Sequence, residues 1–490
     1  MTVQHQPGSL ISVRPRANTI YVSHGNTVLA TRPDGTIDAG PSQGMFVYQT
    51  RLLSRLGYRI GGKTPQPVAC SSVEQHSWVG YYGLEIDGET GELVEGFDEA
   101  RHILEMRVTR NVLGGFHEDI DLVNYSQQPV EFDLEVELAA DFADISETEG
   151  KRTQHGEITE QWRGGNGEHR RLEYRYVADH DYTHQGESGT ARIERAVEIQ
   201  IADMDTTPSY ADGTLTFHVE LAPKQRWHTC LLFGTEIDGD RQQPEASCGL
   251  TRDSSDPRKH RRQLFLEQST DFSAPDSETL TSDVLATLER SRRDLASLRM
   301  DDLDVDENTW IMAAGMPVYV GIFGRDILTT SWQSALSSPD MMRGSLAHLA
   351  DLQGTDYNDW RDEQPGRMIH QQSYGPLPSL QYNPFSRYYG SLTTSGFYPF
   401  VVSELWHWTG DREQVEPFIE PALRALEWLD DYADPDDDGL YEYRTVSEQG
   451  VKNQAWKDSE DAIVYEDGSV VPTPIATCEE QGYVYAAKLA

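Results

Sequence analysis

The hydrophobic period of the chain changes once, near residue 275, and this change constrains the fold more than any other feature. Up to about Phe272 the period is two. Val130-Glu-Phe-Asp-Leu-Glu-Val-Glu-Leu138 alternates strictly, and so does Leu215-Thr-Phe-His-Val-Glu-Leu221. Such alternation is a strand with one buried and one wet face. Turn signals at His24-Gly25-Asn26, Pro33-Asp34-Gly35 and Asp212-Gly213 punctuate the stretch. Many short strands without intervening helices imply a large antiparallel sandwich. The polar stretch Leu250 to Ser273 reads as a connector. Leu280, Val284, Leu288, Leu295 and Leu298 then mark an amphipathic linker helix. Further helices are expected at Ile327–Ser337, Met341–Gln353, Phe397–Thr409, Arg412–Tyr432 and Ile475–Ala490. Long loops rich in Gly, Pro, Tyr and Trp separate them, notably Gln364–Ser395 and Asp434–Thr473. Helical hairpins joined by such loops suit a toroid of paired helices with its site on one rim. The expected domains are a sandwich over 1–275, a linker helix over 276–300 and a helical domain over 301–490.

At 490 residues two or more cores are expected, and 10 Trp, 23 Tyr and 14 Phe are ample to fill them. The net charge of −40 argues against nucleic acid or an anionic membrane as partner. Only seven of the 41 basic residues are lysine. That composition suits either a protein hydrated in concentrated salt, as in a halophile, or ordinary acidic solubility. Met1 to Thr19 lacks an apolar signal region, and Ile311–Phe323 is too short and glycine-broken to span a bilayer. The scattered Cys70, Cys230, Cys248 and Cys478 share no metal-ligand spacing and read as reduced thiols of a cytoplasmic protein.

Four places could carry chemistry. In Gly321-Ile-Phe-Gly-Arg325-Asp326-Ile-Leu a turn feeds a helix. Asp326 stands where an N-cap would, yet the Arg325–Asp326 pair could also hold two neighbouring sugar hydroxyls by charge-assisted bonds. Asn453-Gln-Ala-Trp456-Lys457-Asp458-Ser-Glu460-Asp461 joins an aromatic platform, a cation and several carboxylates. Glycoside hydrolysis needs a carboxylic acid that keeps its proton near neutrality and a second carboxylate opposite it. Apolar and acidic neighbours of Asp458 would favour the first role, although a solvated acidic loop reads the same way. Asp434-Pro-Asp436-Asp-Asp438-Gly439 imitates half a calcium loop, but position twelve is Thr445, and a helix-terminating turn is the better reading. Glu442 follows it and could bond a substrate or only the loop. The run Tyr382-Asn-Pro-Phe-Ser-Arg387-Tyr388-Tyr389-Gly390-Ser391 suits stacking on sugar faces, or aromatic core at a helix entry. His370 and the other histidines show no triad or metal pattern, and there is no nucleotide-binding glycine loop.

Taken in order, these pieces resemble a known family. Gly44-Met-Phe-Val-Tyr-Gln49-Thr50-Arg51-Leu-Leu-Ser54 is similar to the signature of the N-terminal domain of bacterial and archaeal amylo-α-1,6-glucosidase-type proteins, the glycogen-debranching type, with Gln49 where an aspartate usually stands. Phe323-Gly-Arg-Asp, Pro365-Gly-Arg-Met-Ile-His370, Tyr388-Tyr-Gly-Ser391, Trp408-Thr-Gly-Asp411, Asp434–Glu442, Asn453–Asp458 and Gln481-Gly-Tyr-Val-Tyr485 follow in the family's order. Gln371 replaces a frequent glutamate, and Thr393-Thr-Ser-Gly396 a more usual Asp-Ala-Thr-Pro. The resemblance implies an all-α (α/α)6 barrel of six hairpins behind the sandwich, and inverting hydrolysis of an α-glucosidic bond. The bond expected is the α-1,6 branch of a glucan or related oligosaccharide. The resemblance further implies Asp458 as general acid, Arg325 and Asp326 as a clamp on the terminal glucose, and no cofactor. Tyr389, Trp456, Lys457 and Glu442 are then expected to bind substrate. Rival readings are a hydrolase of a small α-glucoside, such as trehalose or a compatible solute, and a glycan-binding protein without turnover. A six-hairpin barrel takes on the order of 350 residues, and only about 190 follow the linker helix. The helical part is therefore expected to be incomplete, with the general base lying beyond Ala490.

Overall fold

The computed structural model describes residues 19–40, 43–87, 90, 92–94, 103–164, 170–244, 257–273, 281–306 and 308–489. Among these, antiparallel strands run from Ile20 to Gln242 and form three sheets. The largest runs Glu157–Arg163, Arg170–Thr183, Ser188–Ala202, Arg226–Ile237, Phe116–Asn124, Ile103–Val112, Ser77–Ile86, Gln66–Glu74, with Asp240–Gln242 and Leu93–Val94 at its margins. Two five-stranded sheets pack against it. One contains Thr50–Leu53 and Ala143–Asp144, the other Val130–Ala139 paired with Thr214–Leu221 and Arg55–Ile60.

The alternation in the sequence sets this arrangement. Val130, Phe132, Leu134, Val136 and Leu138 are all buried, while Glu131 and Asp133 between them are exposed. In register, Leu134 lies opposite Phe217 and Val136 opposite Leu215, so both strands turn apolar residues to one core. The antiparallel sandwich expected from the period-two pattern is present.

Helices follow: α1 Pro257–Gln268, α2 Thr281–Ser297, α3 Gly324–Gln333, α4 Asp340–Asp351, the single turn α5 Pro376–Ser379, α6 Leu392–Thr409, α7 Arg412–Tyr432 and α8 Cys478–Leu489. Helix α1 lies in the stretch read as a connector. Its composition is polar, and Phe265 anchors it edge-on to Trp310 at 5.2 Å between ring centres. Helices α6 and α7 form a hairpin turned by Gly410, which is left-handed at φ 61° and donates its N–H to the Trp406 carbonyl. Asp411 then caps α7 by accepting from the Glu413 N–H at 3.0 Å. Helix α3 packs on α4, and α6 packs on α3, α4 and α8. None of the described helices is long and apolar enough to cross a membrane.

The sandwich grips the loops of the helical part. Gln49 donates to the Val320 carbonyl and accepts from the Tyr374 N–H at 3.0 Å. The Tyr48 ring lies against Tyr374 at 4.4 Å. Asp144 accepts from the Leu377 N–H at 3.2 Å, and the buried Arg195 donates to the Ser379 hydroxyl at 3.1 Å. His180 stacks on Tyr382 at 3.8 Å and His184 on Trp360 at 3.6 Å. The segment 360–382 is thereby braced from behind.

Candidate active site

The site is built on a two-stranded ribbon. Ile322–Phe323 pairs antiparallel with Gln371–Gln372, and the Gly324 N–H donates to the His370 carbonyl at 2.8 Å. This pairing sets Arg325, on the first turn of α3, beside His370. Gly324 allows the approach, because a Cβ there would lie 2.5 Å from the Ile369 carbonyl oxygen. Phe323 is the N-cap of α3 and makes no side-chain cap. Asp326 is therefore not an N-cap, one of the two roles its place in the sequence allowed. It sits within the first turn, where a carboxylate is favoured by the helix dipole.

Arg325 is the hub. One guanidinium nitrogen donates to the Trp456 carbonyl at 2.7 Å and to Asp458 Oδ2 at 3.1 Å, and the other donates to Asp326 Oδ2 at 3.2 Å. Its guanidinium lies 5.6 Å from the centre of the Trp456 ring, and that ring packs on Tyr483 at 5.6 Å. Of the three acids on the loop, Asp458 reaches the hub, while Glu460 and Asp461 are exposed. Burial raises the Asp326 carboxyl above its ordinary value, opposed by Arg325 and assisted by the charge of Asp458.

His370 was not distinguished from the other histidines by its sequence. It is buried, with Nε2 at 3.9 Å from Asp458 Oδ2, and its Nδ1 has no hydrogen-bond partner among the described residues. Burial pushes its pKa down to about 4, with Asp458 opposing and Arg325 and Arg367 adding. At neutral pH it is an uncharged imidazole beside the carboxylates.

The loop carrying Asp458 is held by buried polar groups. Tyr443 donates to Asn453 Oδ1 at 3.0 Å, and Asn453 Nδ2 donates to the Ser459 carbonyl at 2.6 Å. Gln454 accepts from Arg367 at 2.6 Å and donates to Asp362 at 3.0 Å. The Trp456 N–H donates to Glu480 Oε1 at 2.8 Å. Nothing in the sequence around Glu480 marks it as part of the site. Its one distinguishing feature is that it is a second acid, next to Glu479, on the face of α8 that carries Val484 and Ala487 into the core.

Other expected site residues lie elsewhere. Tyr388 and Tyr389 are fully buried. The Tyr388 hydroxyl donates to Asp362 at 2.7 Å and the Tyr389 hydroxyl to the Leu352 carbonyl at 2.8 Å, so these two tyrosines are core at a helix entry. Lys457 is exposed and reaches Glu479 at 4.0 Å. Glu442 lines a separate cavity of about 370 Å³ with Asp359, Glu363, Arg367, Trp428 and Tyr432, and Arg325 and Asp458 are not among its walls. Burial and the charges of Asp436, Asp438 and Asp434 raise its carboxyl. Asp434 closes a turn by accepting from the N–H groups of Asp438 and Gly439, each at 3.1 Å.

Fold and site together define a protein of two parts, a large antiparallel sandwich and a set of paired helices, with a guanidinium–dicarboxylate cluster on the helical side. Residues 22–232 match the family described as the N-terminal domain of some glycogen debranching enzymes. No curated protein sequence matches the chain. Among solved structures, the chain is similar to a galactose mutarotase-like protein of Clostridium acetobutylicum. That match has 10% identity and covers 45% of this chain and 95% of that one, with a TM-score of 0.26. It is also similar to a protein described as a kojibiose phosphorylase from the human microbiome (8% identity, 84% of this chain, 57% of that one, TM-score 0.47). A third is a bacterial glucoamylase complexed with acarbose (7% identity, 84% and 66%, TM-score 0.30). The chain thus spans 57% and 66% of the length of the last two.

Proposed function

We propose that the chain acts on glucans as a glycoside hydrolase of the debranching type, cleaving an α-glucosidic bond at the Arg325–Asp458 cluster. The observation that carries this reading is the Arg325 guanidinium held between Asp326 and Asp458, on a Trp456-bearing loop, behind a sandwich of the debranching-enzyme kind. Two carboxylates on one guanidinium offer acceptors to vicinal sugar hydroxyls, and the guanidinium offers donors to sugar oxygens. Asp458 would protonate the glycosidic oxygen, and inversion requires a base on the opposite face of the sugar, a role that no residue of this cluster fills. The α-1,6 branch is the preferred linkage. The reaction needs no cofactor, and the partner is the glucan itself.

A second reading, glycan binding without turnover, is favoured by the same guanidinium, because it compensates both carboxylates and so suits a binding clamp. Calorimetry with isomaltose, panose and trehalose, beside glucose-release assays on limit dextrin, separates the two. Glucose release that is lost in Asp458→Asn supports hydrolysis, and saturable binding with no release supports the clamp. Neither binding nor release of any of the three sugars would refute the site.

A further inference from the structure

We propose that Glu480 is a latch, a positioning residue that holds the backbone of the Asp458 loop onto the ends of two helices. Its Oε1 accepts from the Trp456 N–H at 2.8 Å and from the Thr393 hydroxyl, on the first turn of α6, at 2.6 Å. One carboxyl oxygen on α8 thus ties the loop to α6. Trp456 lies two residues before Asp458, and its carbonyl accepts from Arg325 at 2.7 Å. The backbone of Trp456, bonded to the latch through its N–H and to the hub through its carbonyl, fixes where the acid stands.

The other oxygen, Oε2, is buried without a hydrogen-bond partner among the described residues, and the residue is fully buried. An ionised carboxylate would leave buried charge on an oxygen that has no hydrogen bond, whereas a protonated one leaves only a neutral hydroxyl there. Burial accordingly pushes the Glu480 pKa up to about 7. The groups around it are Arg325 from α3, Tyr443 from the segment before the loop, and Glu479 and Tyr483 from its own helix. Arg325 opposes the rise and Glu479 assists it. The Thr393-Thr-Ser-Gly396 run therefore supplies one arm of the latch. The other hydroxyls of the run are spent locally. Thr394 lies 3.1 Å from Ser391, and Ser395 accepts from the Met368 N–H at 3.0 Å.

The latch is closed by neutral Glu480. An opening that exposes the side chain returns it to an ordinary glutamate, so opening gains about tenfold per pH unit from about 4.5 up to about 7 and then levels off. The inference rests on the hydrolase reading only for what the loop is used for.

Hydrogen exchange of the peptide spanning residues 453–461 tests the latch without any sugar, so it stands or falls separately from the proposed activity. Exchange is followed from pH 5 to pH 8.5 and corrected for the chemical rate. In the native chain, protection at Trp456 should fall about tenfold per pH unit up to about pH 7 and hold constant above it. Glu480→Gln keeps the Oε1 acceptor and cannot titrate, so its protection should be flat with pH. Glu480→Ala should raise exchange in 453–461 at least about tenfold at pH 5, and Thr393→Val should do so more weakly. Unchanged exchange in Glu480→Ala overturns the latch. A pH dependence in Glu480→Gln equal to that of the native chain assigns the titration to another group and overturns the neutral-acid mechanism.

Discussion

The side-chain oxygen of Gln49, on the sandwich, accepts the backbone N–H of Tyr374, on the helical side, at 3.0 Å. The amide nitrogen of the same side chain donates to the Val320 carbonyl, one residue before the turn that delivers Arg325. One amide with a donor and an acceptor thus bridges two loops that flank the site. An aspartate at this position could accept but not donate. The neighbouring Tyr48 stacks on Tyr374, and both rings are largely enclosed. The sandwich therefore acts as a back-plate for the site.

Removing that amide should show in stability. Gln49→Ala leaves a buried N–H and a buried carbonyl unpaired, which costs roughly 2–4 kcal/mol in total. Chemical denaturation should show the loss, and Arg325-dependent sugar binding should weaken alongside it. A variant with unchanged midpoint and slope would mean that the seam is held by the ring contacts alone.

Arg325→Ala should weaken binding of a glucose-type ligand and lower any turnover together, since the contact exists in ground and transition states alike. The variant also leaves Asp326 and Asp458 facing each other without a cation. Titration of isomaltose by calorimetry checks the first effect. A lowered melting temperature with intact sugar affinity would make the Arg325 cluster a structural one.

Gly324 has no room for a methyl group. A Cβ would meet the Ile369 carbonyl oxygen at 2.5 Å and Thr394 Cγ2 at 2.6 Å. Gly324→Ala should therefore push the first turn of α3 away from the His370 strand, at about 1–3 kcal/mol, and shift Arg325 off Asp458. Loss of sugar affinity larger than the stability loss alone explains would identify displacement of the hub. Native affinity with native stability would show that the ribbon relaxes freely.

What was legible in the sequence follows from physical range. The strands around Val130–Leu138 and Leu215–Leu221 could be read because alternation is a local consequence of having one wet face. Helix α7 was legible to the residue, from Arg412 to Tyr432, because Gly410-Asp411 marks its start and a strong apolar stripe follows. The start of α6 was missed by five residues. Ser391 caps it, but Thr393-Thr-Ser-Gly396 are weak helix formers, and their burial against α8 overrides propensity. Helix α1 was missed because its face is short and polar, and Trp310 that anchors it lies far along the chain. The Arg325–Asp458 contact joins residues 133 apart, and no spacing rule reaches that far; the family resemblance suggested both ends. Glu480 and His370 matter through burial, which one acid beside another or one histidine does not announce.

The pH dependence of stability should carry two opposed contributions from the site. Burial holds His370 neutral, with its pKa lowered from 6.5 to about 4. Between those values the unfolded chain binds more protons than the folded one, so this contribution is present above pH 6.5 and is lost as the pH falls toward 4. Burial raises Glu480 from 4.5 to about 7. There the folded chain binds more protons, so that contribution is present below pH 4.5 and is lost as the pH rises through 7. Each is on the order of 3 kcal/mol by linkage. Two single variants separate them. Glu480→Gln should gain on the native chain as the pH rises from 5 to 8, and His370→Asn should gain on it as the pH falls from 6.5 to 4.5. Melting temperatures across pH 4.5–8 in a buffer series at constant salt check both limbs, since screening alters the many surface charges of a −40 chain. If both variants track the native curve in parallel, neither group changes its charge on unfolding, and the buried, uncharged states assigned to them are wrong.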